Sequence, residues 1–141
     1  MKKLNFHVLT LFIVIAALTG NSQQSTYNKL ISDSIDNVID TSTNDTLLIK
    51  QLQEFDDLIY HENRELDFII NNKIEAICLE NLKDTLDQTQ QLKFSKSLSK
   101  TYNIYANIYY DNGNFKKALE YYLKAELINS KNNDQKSLSK S

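Results

Sequence analysis

The sequence predicts an all-α protein, in which antiparallel helical hairpins follow an N-terminal signal helix and stack as an α-solenoid. First, apolar residues recur at helical spacing, with Leu98, Tyr102, Tyr105 and Tyr109 at i, i+4, i+7 and i+11. Second, the chain has no Pro, 2 Gly and no Trp, a composition that suits helices joined by short turns. Third, the segment 96–101 recurs at 136–141, with five of six residues identical at an offset of 40. The alternative for this third observation is coincidence in Ser- and Lys-rich sequence.

Residues 1–22 have the pattern of a secretory signal peptide. Lys2 and Lys3 precede the apolar run Val8–Leu18, and small polar residues follow it up to Ser22. The run is too short to cross about 30 Å of hydrocarbon as a helix. We therefore expect export across the inner membrane, to a periplasmic or membrane-tethered location, with an uncleaved signal anchor as the alternative.

Residues 23–45 are rich in Ser, Thr, Asn and Asp and are predicted to be a polar linker, helical in part. The apolar residues that could line a short amphipathic helix there are Leu30, Ile31, Ile35, Val38 and Ile39.

Residues 46–90 are predicted to form a first helical hairpin. Asn44 and Asp45 offer an N-cap, and a stripe of Leu48, Leu52, Phe55 and Ile59 predicts a helix over 46–60. After the polar break His61-Glu62-Asn63, a second stripe predicts a helix from Arg64 to about Lys83; its members are Leu66, Ile70, Ile74 and Ile77. The only cysteine, Cys78, lies on this helix and is expected to be a buried apolar residue.

Residues 91–132 are predicted to form a second hairpin. Gly113 can take the left-handed position that ends one helix, and Asn114 can cap the next. Ala106, Ala118 and Ala125 leave room for close helix contact, while the bulk between them comes from Tyr102, Tyr109, Phe115 and Tyr122. After a break at 131–133, residues 133–141 are expected to begin a further repeat that is truncated at Ser141.

The stretch from Ala106 to Ala125 has the pattern A-x-x-Y-x-x-x-G-x-F-x-x-A-x-x-x-Y-x-x-A, which resembles the tetratricopeptide repeat. Two positions depart from that family: Tyr102 stands where it often has Trp, and Ser130 where Pro usually closes the repeat. The hairpin over 46–90 resembles a degenerate repeat. The resemblance implies these repeat-packing residues: Tyr102, Ala106, Tyr109, Gly113, Phe115, Ala118, Tyr122 and Ala125.

No pattern of catalytic, cofactor-binding or metal-ligating residues emerges from the sequence, and the chain is predicted not to be an enzyme. The nearest constellation, His61-Glu62 with Glu65, is interpreted as a solvated turn, and Asp56-Asp57 as an exposed helix flank. The net charge of −2 shows no basic excess, so no nucleic-acid partner is expected. Contact with a membrane is expected only through the signal segment or a missing downstream span.

Stacked hairpins present a concave surface on which a protein or peptide partner can lie. Off the apolar stripe, one side of the helix ending near Tyr110 carries the candidate partner-binding residues Lys100, Asn103, Asn107, Tyr110 and Asp111. In the tetratricopeptide family, polar residues on this side hold extended peptides; ordinary solvent-facing asparagines are the alternative.

The order of signal, linker and hairpins predicts an exported protein–protein interaction module, as in the extracytoplasmic sensing part of a bacterial sensor kinase or regulator. A free-standing periplasmic or secreted scaffold is a second hypothesis. A third is the non-catalytic N-terminal region of an enzyme whose catalytic domain is missing.

Overall fold

A computed structural model of the protein describes residues 21–42, 44–59 and 63–138. This part of the chain is all-helical, which confirms the predicted fold class at that level. Five helices follow one another: α1 Asn21–Thr41, α2 Asp45–Ile59, α3 Arg64–Asn81, α4 Gln88–Asp111 and α5 Phe115–Leu138. None of these helices is both long enough and apolar enough to span a bilayer. Residues 1–20 of the expected signal segment, His61 and Glu62, and the last three residues lie outside the described residues.

The chain divides into two compact units, the first ending at Ile70 and the second beginning at Asn71, so the division falls inside α3. In the first unit, the stretch predicted to be a polar linker, helical in part, is the helix α1. Of the apolar residues predicted to line that helix, Ile31 and Ile35 are buried, whereas Leu30 is exposed. Among the α1 side chains that the structure describes, Asn28, Ile31 and Ile35 are buried, spaced i, i+3 and i+7. Burying these side chains offsets the weak helix propensity of its many Asn, Asp and Ser residues.

The apolar stripes predicted for α2 and for the start of α3 are buried in the structure. Both helices begin at an asparagine cap, because the side-chain oxygen of Asn44 accepts from the backbone N–H of Leu47 and that of Asn63 from Leu66. These caps fix the two helix starts at Asp45 and Arg64, within one residue of the predicted positions.

One buried amide in α1 is tied to the beginning of α3. Asn28 Nδ2 donates to Glu65 Oε2 at 2.8 Å, and Asn28 Oδ1 accepts from Asn63 Nδ2 at 2.8 Å. Because Asn63 also caps α3, this amide supports the cap itself. A buried polar side chain needs such partners, since an unmade hydrogen bond costs about 1–3 kcal/mol.

In the second unit, α4 begins at Gln88, ahead of its first buried residue Phe94. The cap is Asp87, whose side chain accepts from Gln90 N. The turn to α5 is as predicted: Gly113 has φ +74°, and Asn114 Oδ1 accepts from the backbone N–H of Lys117 at 3.2 Å.

Helix α5 does not break at 131–133 and continues to Leu138, so a new helix does not begin there. The physical reason lies at Asn132, which faces α4 and is buried. Its Oδ1 accepts from the Ser95 hydroxyl at 2.8 Å, so the amide that was expected to end the helix is used in packing.

Helices α4 and α5 run in opposite directions. The contacts join residues near the turn to each other, as with Tyr110 and Phe115, and residues far from it to each other, as with Ser95 and Asn132. Between these ends, the Ser99 hydroxyl donates to Asn129 Oδ1 at 2.8 Å.

Candidate functional site

The five candidate partner-binding residues lie on one side of α4, opposite its buried stripe. Lys100, Tyr110 and Asp111 are exposed, and Asn103 and Asn107 are half-buried. Tyr105, on the predicted apolar stripe, is 1% exposed, whereas Tyr110 is 56% exposed. Tyr110 is therefore the aromatic ring that this side of α4 presents to solvent.

Two contacts extend this surface from α4 onto α5. The Tyr122 hydroxyl donates to Asn107 Oδ1, and the ring of Phe115 meets that of Tyr110 edge-on at 5.3 Å. Asn107 therefore orients Tyr122 through its carbonyl oxygen. The resulting surface combines polar side chains with exposed aromatic rings, the mixture that favours peptide contact.

The three alanines predicted to allow close helix contact are all buried, in agreement with that prediction. At Ala125 the approach is close enough that Ser99 Oγ lies 3.2 Å from the backbone oxygen. A larger side chain at Ala106 or Ala118 would therefore meet occupied space.

Phe115 and Tyr122 were predicted to fill the space between the helices, and this is wrong for both. Phe115 is 62% exposed and Tyr122 39% exposed. The side of α5 that faces α4 instead carries Ala118, Tyr121 and Ala125, spaced at three and four residues. Because α5 has apolar residues on more than one side, the predicted stripe was assigned to the wrong aromatic residue.

Tyr121 lies at the centre of a cluster of four tyrosines that the sequence analysis missed. Its ring centroid is 5.8 Å from that of Tyr102, 5.1 Å from that of Tyr105 and 5.6 Å from that of Tyr109. The ring stacks on Tyr109 at an interplanar angle of 7°. Tyr121 is three residues from Ala118 and four from Ala125, and this spacing is the sequence signal that could have placed it on the side facing α4.

The tyrosine cluster has a polar edge toward α3. The Tyr105 hydroxyl lies 2.6 Å from Asn72 Oδ1 and 3.0 Å from Glu75 Oε2, and donates its proton to one of them. Burial, followed by the charge of Glu75, raises the pKa of Tyr102 to about 12 and also raises that of Tyr105. The hydroxyls of these two tyrosines therefore stay protonated at neutral pH.

Two lysines of α5 cover the exposed edge of this cluster. Lys117 Nζ lies 4.6 Å from the ring centre of Tyr109 and donates to its hydroxyl at 3.2 Å, which raises the pKa of the lysine. Lys124 Nζ lies 4.6 Å from the ring centre of Tyr121. These cations sit over aromatic faces, which is the favourable geometry for a cation–π contact. The cluster is therefore a packed structural feature whose open face is already covered.

The side of α5 that points away from the tyrosine cluster carries a row of exposed apolar residues. We call Phe115, Leu119, Leu123 and Leu127 the α5 ridge; each follows the last by four residues, and their exposed fractions run from 58% to 62%. Tyr122 lies beside the ridge. Contiguous exposed apolar patches of this kind mark interaction surfaces.

The side chains that could be reactive differ in their exposure. Asp56 is buried, so its interpretation as an exposed flank is wrong, while Asp57 is exposed as expected. Cys78 is buried, and burial followed by the charge of Glu75 raises its pKa to about 12, which keeps the thiol protonated. Within the described ranges no three His, Cys, Asp or Glu side chains gather as metal ligands would. His61 and Glu62, which were predicted to lie in a solvated turn, are outside those ranges.

Comparison with protein-family models, with curated proteins and with solved structures found no match to this chain.

Proposed function

We propose that this chain is a protein–protein interaction module of tetratricopeptide-like helical hairpins, exported by the signal segment at its N-terminus. The observation that carries the proposal is the surface formed by α4 and α5. There, buried alanines bring two helices together, and exposed polar and aromatic side chains lie on the outside of the pair. The pattern of residues 1–22 supports export, to a periplasmic or membrane-tethered location.

The partner is a peptide or an extended segment of another protein, bound along the exposed side of α4. Asn103 and Asn107 stand one turn apart on the helix, so their Cβ atoms are about 5–6 Å from each other. An asparagine amide both donates and accepts, and can therefore pair with the backbone of an extended peptide. Lys100 adds a positive charge at one end of this row, which suits an acidic side chain or a C-terminal carboxylate.

Tyr110 and Phe115 supply the apolar part of the same surface. Their rings are in contact and both are more than half exposed. Aromatic rings contribute large contact areas with few rotatable bonds, which makes them common anchors in interfaces. The proposed contact is thus an aromatic anchor near the turn and a polar row leading away from it.

In the larger architecture, this module is the extracytoplasmic sensing part of a bacterial signalling protein. The order of signal segment, helical units and an exposed binding surface supports that role. Binding of the partner on the outer side of the membrane would be the signal that the rest of such a protein transmits.

The test is a selection of random peptides of about 12 residues on the immobilised full chain, followed by measured dissociation constants. We expect Asn103→Ala or Lys100→Ala to weaken a selected peptide about 10-fold, the effect of removing one well-placed hydrogen bond. Gln90→Ala is the matched control, because Gln90 is an exposed residue at the start of the same helix and outside this surface. Peptides that bind equally well to all three variants, or a selection that yields no binder, would contradict the proposed role.

A further inference from the structure

We infer that Tyr122 is a positioning residue of the proposed peptide surface, because its hydroxyl holds the Asn107 amide in one orientation. In that orientation Asn107 presents its N–H groups to a neutral carbonyl oxygen of the bound peptide. This role rests on the proposed function and deepens it, since it gives the two asparagines of α4 different parts in binding. Asn103 pairs with both an N–H and a carbonyl of the peptide, whereas Asn107 acts as a donor.

A row of polar side chains follows the edge of α4 that borders α5, at intervals of four residues: Ser95, Ser99, Asn103 and Asn107. Both serines donate to asparagine side chains of α5, and Asn107 accepts from Tyr122. Within the part of the chain that the structure describes, no hydrogen bond joins Asn103 to α5. Asn103 is half-buried between these bonded neighbours, so its donor and acceptor groups are both left for a ligand.

The bond at Asn107 sets the orientation of its amide. The Tyr122 hydroxyl donates to Asn107 Oδ1, and Oδ1 and Nδ2 are attached to the same planar carbon. An oxygen held toward Tyr122 therefore turns the nitrogen, with its two N–H groups, away from that hydroxyl. The same bond polarises the amide, which makes these N–H groups stronger donors. Because the amide is already held before a peptide arrives, less conformational entropy is lost on binding.

The charges along α4 favour a neutral acceptor at Asn107. Asp111 lies one turn beyond Asn107, so a carboxylate of the ligand placed here would be repelled. Lys100, the cation that suits a carboxylate, is two turns away in the other direction. A carbonyl oxygen of the peptide backbone accepts a hydrogen bond and carries no net charge.

The spacing of the two asparagines also fits a peptide backbone. An extended peptide repeats its carbonyl groups on one side about every 6.6 Å. This repeat is near the distance of about 5–6 Å between the Cβ atoms of Asn103 and Asn107. Two carbonyl oxygens on the same side of one peptide can therefore reach the two amides together.

The first experiment is a double-variant cycle, in which calorimetry measures the affinity of the 141-residue chain for a peptide selected on it. Asn107→Ala should weaken binding about 10-fold and Tyr122→Phe about 3- to 5-fold. Once Asn107 is replaced by alanine, Tyr122→Phe should have almost no further effect, because the hydroxyl acts through that amide. Tyr109→Phe is the matched control: it removes a tyrosine hydroxyl that bonds to Lys117, and should leave the affinity unchanged. Equal losses from Tyr122→Phe with and without the Asn107 amide would overturn the inference.

The second experiment tests the donor itself. Asn107→Asp keeps an oxygen for the Tyr122 hydroxyl but replaces the N–H donors with a second oxygen, so peptide affinity should fall at least about 10-fold. The loss should be the same for a peptide with an amidated C-terminus, because the acceptor is a carbonyl of the backbone. Circular dichroism checks that each variant keeps its helix content. Unchanged binding by Asn107→Asp, or a loss that disappears with the amidated peptide, would overturn the inference.

The outcomes separate this inference from the proposed function. A selection that yields no peptide contradicts the proposed function, and the role of Tyr122 falls with it. Peptides that lose affinity with Asn103→Ala but not with Asn107→Asp contradict the role of Tyr122 alone, because the surface then binds without the Asn107 donor.

Discussion

The two units of this protein are packed with different kinds of side chain. Up to Ile70 the buried residues are mainly leucine, isoleucine and phenylalanine, placed as single stripes on their helices. From Asn71 onward the packing between α4 and α5 pairs alanines with tyrosines, and α5 also carries its largest aliphatic residues on the outside.

The difference shows what an apolar stripe does and does not specify. An aliphatic side chain has no polar atom, so a helix with one such stripe can bury it in only one orientation. A tyrosine has an apolar ring and a hydroxyl that needs a partner, so it can lie in the core or at its edge. Helix α5 has rings and leucines on several sides, and its orientation is decided by the small residues that let α4 approach.

The largest expected effect compares one phenylalanine from each unit. Phe55→Ala should lower the free energy of unfolding by about 3–5 kcal/mol, because Phe55 is fully buried and its removal leaves a cavity. Phe115→Ala should change it by less than about 0.5 kcal/mol, because that ring is mostly in solvent. Urea denaturation measures both changes. Similar losses in the two variants would mean that Phe115 packs within the monomer.

The next effect tests the alanine contacts. Ala106→Leu should lower the free energy of unfolding by roughly 1–3 kcal/mol, because the added atoms have no space beside α5. The control is Ala76→Leu, at an exposed position of α3, which should be nearly neutral. If thermal melts of the two variants coincide, the close approach of α4 and α5 does not depend on Ala106.

The smallest expected effect is a loss of stability at alkaline pH, with no loss at neutral pH. The pKa of Tyr102 is raised to about 12 from an ordinary value of 10.0, so between these values the folded chain holds a proton that the unfolded chain releases. The corresponding stability is fully present below pH 10 and is lost as pH rises toward 12. The urea midpoint should therefore fall over this range, and Tyr102→Phe should make the fall shallower. Part of the fall should remain in this variant, because the pKa of Tyr105 is also raised. An identical fall in the variant would assign the loss to other groups.

Most of the helical pattern was predictable from local chemistry. The buried stripes of α2 and α3 follow from apolar spacing, and the turn before α5 from Gly113 and Asn114. On α4, the apolar stripe also placed the buried Tyr105 and left the exposed Tyr110 on the proposed binding side.

What could not be predicted depends on contacts between distant residues. A helix in part of residues 23–45 was predicted, but not the full length of α1 or the extension of α5 past residue 131, because both contain asparagines that local rules assign to linkers and turns. In the structure Asn28 and Asn132 are buried and accept hydrogen bonds from residues more than thirty positions away. Tyr121 was missed in the same way, because only its neighbours on α4 show that it faces inward.

The amide of Asn28 also determines the alignment of α1 along its own axis. Apolar contacts alone would tolerate a shift of α1 by one helical turn, because one isoleucine can take the place of another in an apolar groove. An amide that both donates to Glu65 and accepts from Asn63 has no equivalent one turn further along α1, where Ser32 stands in its place. A single polar side chain thus selects one lengthwise setting out of several that hydrophobic contact alone would allow.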